Sequence, residues 1–283
     1  MTIRTLPEIK ALQVKGLSFE PEEAALARWD AGVRAAAEGD DNVISIYDVI
    51  GEDFWTGEGM TSKRVAGALR RIGARDVTVN INSPGGDFFE GTAIYELLRQ
   101  HSNRVTVKVV GLAASAASVI AMAGDEIQIS EVGFIMVHNA WAVALGNRHD
   151  LRQAADTLEP FDTAMAGLYG ARSGVDKDEA ADWMDAETWF NGQGAVQAGL
   201  ADVIMAPGEI DQSAEAPKNL AAVRRIESAL ACQGMSRSER RSLIAEITGR
   251  QAVAAEPSSA VASDAAPSLR ALMETIRSAT PRV

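Results

Sequence analysis

Residues 111–125 read GLAASAASVIAMAGD, and the fold turns on how that stretch is parsed. The run before it, Arg104–Val110 (RVTVKVV), alternates like a strand, and the alanines after it read as a tightly packed helix of small residues. Ser115 falls at the junction, and Ser118 follows almost one turn later, inside the helix. A serine at a helix N-terminus has unsatisfied backbone amides beside it and the positive end of the macrodipole behind it. Such a position suits a nucleophile whose attack creates an oxyanion. It equally suits the commoner role of an N-cap, and this stretch alone leaves both readings open.

Two further stretches bear on the choice. The first is centred on residues 80–91 (NINSPGGDFFEG): a strand over Asp76–Asn82, with Val77, Val79 and Ile81 on one face, runs into Ser83-Pro84-Gly85-Gly86 and then into a helix bearing Ile94, Leu97 and Leu98. Glycines in such a turn permit positive φ and close backbone approach, so a bare N–H can be aimed at a reacting carbonyl oxygen. Residues 133–141 (GFIMVHNAW) form a short apolar strand that ends at His138. Of the other two histidines, His101 closes a helix among polar residues and His149 lies in a charged segment. Only His138 stands at the end of a buried strand, where α/β proteins concentrate their chemistry.

In this order, PGG, GLAASAAS and MVHN resemble the ClpP family of serine peptidases within the ClpP/crotonase superfamily. The resemblance runs from about Asn42 to Ala206 and is nearest to the ClpP-related head maturation proteases of phages and prophages. It implies an α/β fold: a spiral of β-β-α units with a mostly parallel sheet, closed by Gly194–Ile204 (GAVQAGLADVI). Carried over by residue, it makes Ser115 the nucleophile, His138 the general base, and the amides of Gly86 and Ala116 the oxyanion hole. Aligning back from GLAD puts Glu187 where the family has an aspartate, with Asp185 as its rival. A glutamate can orient an imidazole, although its extra methylene changes the geometry. The long helical segment Arg148–Arg172, interrupted by Pro160, falls where the family has the handle through which two rings stack. Trp183, Trp189 and Phe190 are expected to pack beneath the site.

Composition narrows the alternatives. At 283 residues the chain has room for one sizeable α/β domain with appendages. A net charge of −12 disfavours nucleic acid or an anionic membrane as the main partner. The single cysteine, Cys232, excludes an internal disulfide and fits a reducing compartment, so a cytoplasmic location is expected. No Cys/His cluster has metal-ligand spacing, no cofactor is called for, and no apolar run reaches membrane-spanning length.

Three segments follow. Residues 1–41 are an N-terminal extension in which 21–40 (PEEAALARWDAGVRAAAEGD) read as a helix starting at Pro21. This extension does not match the family's axial loops, which counts against an unfoldase partner. Residues 42–206 are the peptidase-like domain. In it, Thr61 or Ser62 caps a helix with Val65, Leu69 and Ile72 as its stripe, and Asp176–Met184 forms a short acidic helix. Residues 207–283 comprise a linker, helical patterns over 218–249, a disordered-looking stretch and an amphipathic end (SLRALMETIRSA).

The expected activity is that of a serine endopeptidase acting on protein or peptide substrates. The resemblance implies a ring-forming homo-oligomer, with capsid or scaffold protein as partner. Turnover with an ATP-dependent unfoldase is the second version. Crotonase-type acyl-CoA chemistry shares the paired-amide hole but lacks a Ser–His pair. A Ser–Lys dyad finds only Lys108 and Lys177, neither well placed, and an idle scaffold component is the non-enzyme alternative.

Overall fold

The computed structural model describes residues 21–31, 33–35, 41–52, 59–144, 146–206, 210–211 and 220–248. The expected amphipathic end and the stretch expected to be disordered lie outside the described residues. The first elements are α1 (Glu23–Arg28) and β1 (Arg34–Ala35). The helix expected over residues 21–40 is therefore only six residues long. Competition for its backbone explains the difference. The Glu22 carboxylate starts α1 by accepting from the Ala24 and Ala25 amides, but Trp29 turns extended and its indole N–H donates to the Asn82 carbonyl at 3.0 Å. The carbonyls of Asp30 and Val33 are then taken by the Asn82 carboxamide, at 2.7 and 3.1 Å.

The sheet is built from β2 (Val43–Ile46), β3 (Val77–Ser83), β4 (Val105–Ala114), β5 (Glu126–Ile129), β6 (Phe134–Met136), β7 (Trp189–Asn191) and β8 (Val203–Ile204). Between these strands run α2 (Ser62–Ile72), α3 (Phe88–Arg99), α4 (Ala116–Ala121), α5 (Arg148–Ser173), α6 (Lys177–Asp185) and α7 (Gly192–Gln197). A short β9 (Ile210–Asp211) pairs antiparallel with β1, and α8 (Leu220–Cys232) and α9 (Arg237–Thr248) follow. Local signals set the helix starts: the Thr61 hydroxyl accepts from Arg64 N–H at α2, and Asp87 accepts from Phe89 and Glu90 at α3. Asn147 and Asp150 form a capping box at α5, which runs through Pro160.

Strands β2-β3-β4-β5-β8 form a parallel ladder, with β6 parallel to β4 and β7 antiparallel to β6. This is the mostly parallel α/β fold expected from the sequence. Strand β4 outruns its expected end at Val110, and its length makes the sheet fork. Thr106–Val109 pair with β5, whereas Leu112–Ala114 pair with β6. The β3–β4 register shifts between Ile81 and Ser83, and the Asn82 side chain fills the gap by accepting from Leu112 N–H at 3.1 Å.

Val79, Ile81, Val107, Val109, Ile127 and Ile129 are fully buried, in one cluster with Ile94 and Leu98 of α3, Ile120 of α4 and Leu168 of α5. Along β2, β5 and the first half of β4 these side chains alternate with half-buried ones, so one face of the sheet packs against the helices, and each such buried side chain stabilises the fold by roughly 1.5–3 kcal/mol. A second cluster joins Ala25, Leu26 and Trp29 to Leu112, Ala114 and Met136, with Leu220 and Ala221 of α8 against it. Thus α1 and α8 rest on the ends of β4 and β6, the two strands that deliver Ser115 and His138. Among the described residues no helix is long and apolar enough to cross a membrane.

Candidate active site

Strand β4 ends at Ala114 and α4 starts at Ala116, so Ser115 alone makes the turn. It does so at φ 55° and ψ −127°, a conformation that costs a non-glycine residue about 1–3 kcal/mol. Its neighbours hold it there. The Ser115 N–H donates to the Met136 carbonyl at 3.1 Å, and its own carbonyl accepts from Ser118 N–H at 2.9 Å and the Ser118 hydroxyl at 2.6 Å. The Ser118 oxygen lies 2.8 Å from the phenol of Tyr169 on α5. Because the Ser118 proton is committed to Ser115, the Tyr169 O–H is the donor. Burial pushes that phenol's pKa well up, so it keeps its proton.

The Ser115 hydroxyl makes no capping bond. Instead it lies 2.7 Å from Nε2 of His138, just beyond β6. His138 is 6% exposed, and burial holds its pKa below the ordinary 6.5, opposed by the negative charge of Glu22. At neutral pH the imidazole is therefore uncharged, and in its Nδ1–H tautomer Nε2 accepts from the serine hydroxyl. The turn around His138 is fastened on both sides. Val137 N–H donates to the Thr188 carbonyl, Asn139 donates to Asp185 at 2.7 Å, and Ala140 N–H donates to Asp162 at 2.6 Å. Desolvation raises the Asp162 pKa, and the Ala140 amide works against that rise.

Glycine is required at both positions of the turn after β3. A Cβ on Gly85 (φ 89°) would stand 2.6 Å from the Ala114 carbonyl oxygen and 2.6 Å from the Ser115 Cβ. On Gly86 (φ 144°) it would stand 2.3 Å from the Ile50 carbonyl oxygen. The turn is thus pressed against the nucleophile's own backbone. Ile50 bridges to the residues either side of Gly86: its N–H donates to Gly85 O at 2.8 Å, and its carbonyl accepts from Asp87 N–H at 3.0 Å. That ladder makes no use of the Gly86 N–H, and Ala116, as the first residue of α4, has no intrahelical acceptor for its own.

Glu187 lies on the turn between α6 and β7, beside the Thr188 that holds Val137, and has φ 48°. Among the described residues its side chain makes no hydrogen bond to His138, and Asp185 is engaged by Asn139. The charge acting on the imidazole comes from Glu22, which no local motif marked. The sequence places Ser118 inside the helix but leaves its role, and those of Asn82 and Tyr169, unread, because these are ordinary polar residues whose partners are brought together only by the fold. Trp183 and Phe190 pack edge to face, and Trp189 carries Arg28 over its ring at 4.1 Å. Among the described residues no group of three or more His, Cys, Asp or Glu side chains is placed to hold a metal ion.

Comparison with known proteins supplies the relationship. Residues 68–208 match the Clp protease family. A Rhodococcus jostii "ATP-dependent Clp protease proteolytic subunit 3" is 30% identical over 147 residues, covering 51% of this chain and 73% of its own length. The chain belongs to the Clp protease family. A Deinococcus radiodurans "ATP-dependent Clp protease proteolytic subunit" is 31% identical over 144 residues, which is 50% of this chain and 68% of the relative. The Bacteroides fragilis relative of the same description is 28% identical, and the match spans 64% of its length. In fold, a solved ClpP1 point mutant from Listeria monocytogenes superposes with a TM-score of 0.51 at 19% identity, covering 60% of this chain and 94% of its own. The Clp protease match begins inside α2, so α1, β2, α8 and α9 all lie outside it.

Proposed function

We propose that this chain is a serine endopeptidase that hydrolyses peptide bonds through an acyl-enzyme. The observation that carries the reading is the 2.7 Å approach of the Ser115 hydroxyl to a buried, uncharged His138. Ser115 attacks the scissile carbonyl carbon while Nε2 of His138 takes the hydroxyl proton. The Gly86 and Ala116 amides hold the oxyanion, and the imidazolium returns its proton to the leaving amine. Water then repeats the sequence on the ester. We assign Glu187 as the carboxylate that orients the imidazole in the working enzyme, and a ring of this chain as the working assembly.

Capsid or scaffold protein is the substrate we propose, on the resemblance to head maturation proteases. The described names of the relatives favour a second version, a proteolytic subunit served by an ATP-dependent unfoldase. Labelling with a fluorophosphonate probe tests the chemistry. Wild type is expected to label, Ser115→Ala to lose the label and His138→Ala to lose most of it. No label on assembled wild-type protein overturns the peptidase reading. Incubation with a co-encoded capsid protein, against an unfolded protein supplied with unfoldase and ATP, separates the two substrates.

A further inference from the structure

We infer that Arg224, on α8 and outside the family match, is a positioning residue for the oxyanion loop. This rests on the peptidase reading above. Arg224 is 5% exposed and reaches back to the segment after β2, donating from Nε to one oxygen of Asp48 at 3.2 Å and from a terminal nitrogen to the other at 2.8 Å. Its other terminal nitrogen donates to Glu227 at 3.1 Å, one turn along the same helix. A planar guanidinium forked onto one carboxylate fixes direction as well as distance, which a lysine cannot do.

Asp48 passes that constraint on. Its carbonyl accepts from the Ser83 hydroxyl at 2.6 Å, and the Ser83 oxygen accepts from Gly85 N–H at 3.2 Å. Two residues further on, Ile50 holds the Gly85 carbonyl and the Asp87 amide, the bonds that leave the Gly86 N–H unused. A guanidinium on α8 is therefore two side chains away from the turn that aims the proposed oxyanion donor. Helix α8 is itself fixed about one turn further along, where Ser228 donates to the Pro21 carbonyl and Arg240 of α9 donates to the Glu227 carbonyl. Nothing in this arrangement touches the reacting atoms; it sets where the amide points.

The test uses the full-length chain and three variants: Arg224→Lys, Arg224→Met, and the double variant Asp48→Asn/Arg224→Met. Asparagine keeps an acceptor for the Val49 N–H that Asp48 now satisfies, and removing both charges avoids stranding one of them. Arg224→Met is expected to lower kcat by about 10- to 100-fold with KM little changed. The lysine variant is expected to recover only part of that loss. The double variant is expected to recover thermal stability while kcat stays low, whereas recovery of both reduces Arg224 to a structural role and overturns the inference. Hydrogen exchange supplies a readout independent of activity. The amides of Gly85 and Asp87 are expected to exchange faster in Arg224→Met, with Ile127 and Ile129 of β5 unchanged. Unchanged exchange at Gly85 and Asp87 overturns the inference whether or not the protein cleaves anything. Failure of wild type to react with the fluorophosphonate overturns only the peptidase reading.

Discussion

The two halves of the candidate site are held by different forces. The nucleophile half (β4, α4 and the Tyr169 face of α5) is set in apolar packing, with Ala113, Ala117, Ile120 and Leu168 fully buried. The oxyanion half, Ser83 to Asp87, is held largely by polar contacts: Ser83 to Asp48, Asp48 to Arg224, and Asn82 to the turn after α1. Close packing resists displacement because every neighbour must move with it. A polar brace is directional and can be severed at one atom. The strained serine is thus set in close apolar packing, whereas the complementary Gly86 amide depends on segments that the family match does not include.

Four experiments test that contrast. Ser115→Ala should have the largest effect, lowering kcat by on the order of 10⁴-fold or more with the fold intact, as checked by active-site labelling and thermal unfolding. Gly85→Ala should follow. A methyl 2.6 Å from Ala114 O and the Ser115 Cβ, at positive φ, forces the two halves apart. Loss of about 2–4 kcal/mol is expected in denaturant titration, with kcat falling about 100-fold.

In the nucleophile half, Ser118→Ala removes the hydroxyl that ties Ser115 to Tyr169 and leaves the buried phenol without its acceptor. About 1–3 kcal/mol should be lost, against about 1 kcal/mol for Tyr169→Phe. Equal losses in the two variants would deny the donor order assigned to that chain.

The smallest effect concerns pH. The folded-state pKa of His138 is depressed, so folded and unfolded chains are alike in protonation at this residue well above 6.5, and its cost appears as pH falls. Below 6.5 the unfolded chain takes up the proton first, so stability declines until the native imidazole also protonates. The rate should rise with pH through a midpoint below 6.5. Glu22→Gln should move that midpoint lower still, because Glu22 opposes the burial effect. Glu187→Gln and Asp185→Asn, assayed beside it, show which carboxylate the imidazole feels. NMR titration of His138 reads the same order without substrate.

Much of this architecture was legible because it is written locally. The alternation of β3, the Thr61 cap and stripe of α2, the Gly-Gly turn and the placement of Ser115 and His138 all lie within short windows. What escaped is written across distance. The helix at 21–40 stopped early because Asn82, some 50 residues on, takes the backbone groups that a longer helix would have used. GLAA extended β4 because β6 offered it a ladder, which small residues alone do not announce. Neither the influence of the Glu22 charge on His138 nor the pairing of Arg224 with Asp48 leaves any periodic trace.

The Arg224–Asp48 brace also has a meaning in time. Its partners stand 176 residues apart, whereas the β3–β4 ladder joins residues about 30 apart. Closing the longer loop carries the greater entropy cost and gains nothing until both docking surfaces exist. In refolding, the sheet and the Ser115 turn should therefore consolidate first, and the oxyanion turn should gain its final aim last. A newly made chain would then pass through a stage in which its nucleophile is in place but the oxyanion turn is not yet set, a delay that would restrain cleavage before folding is complete.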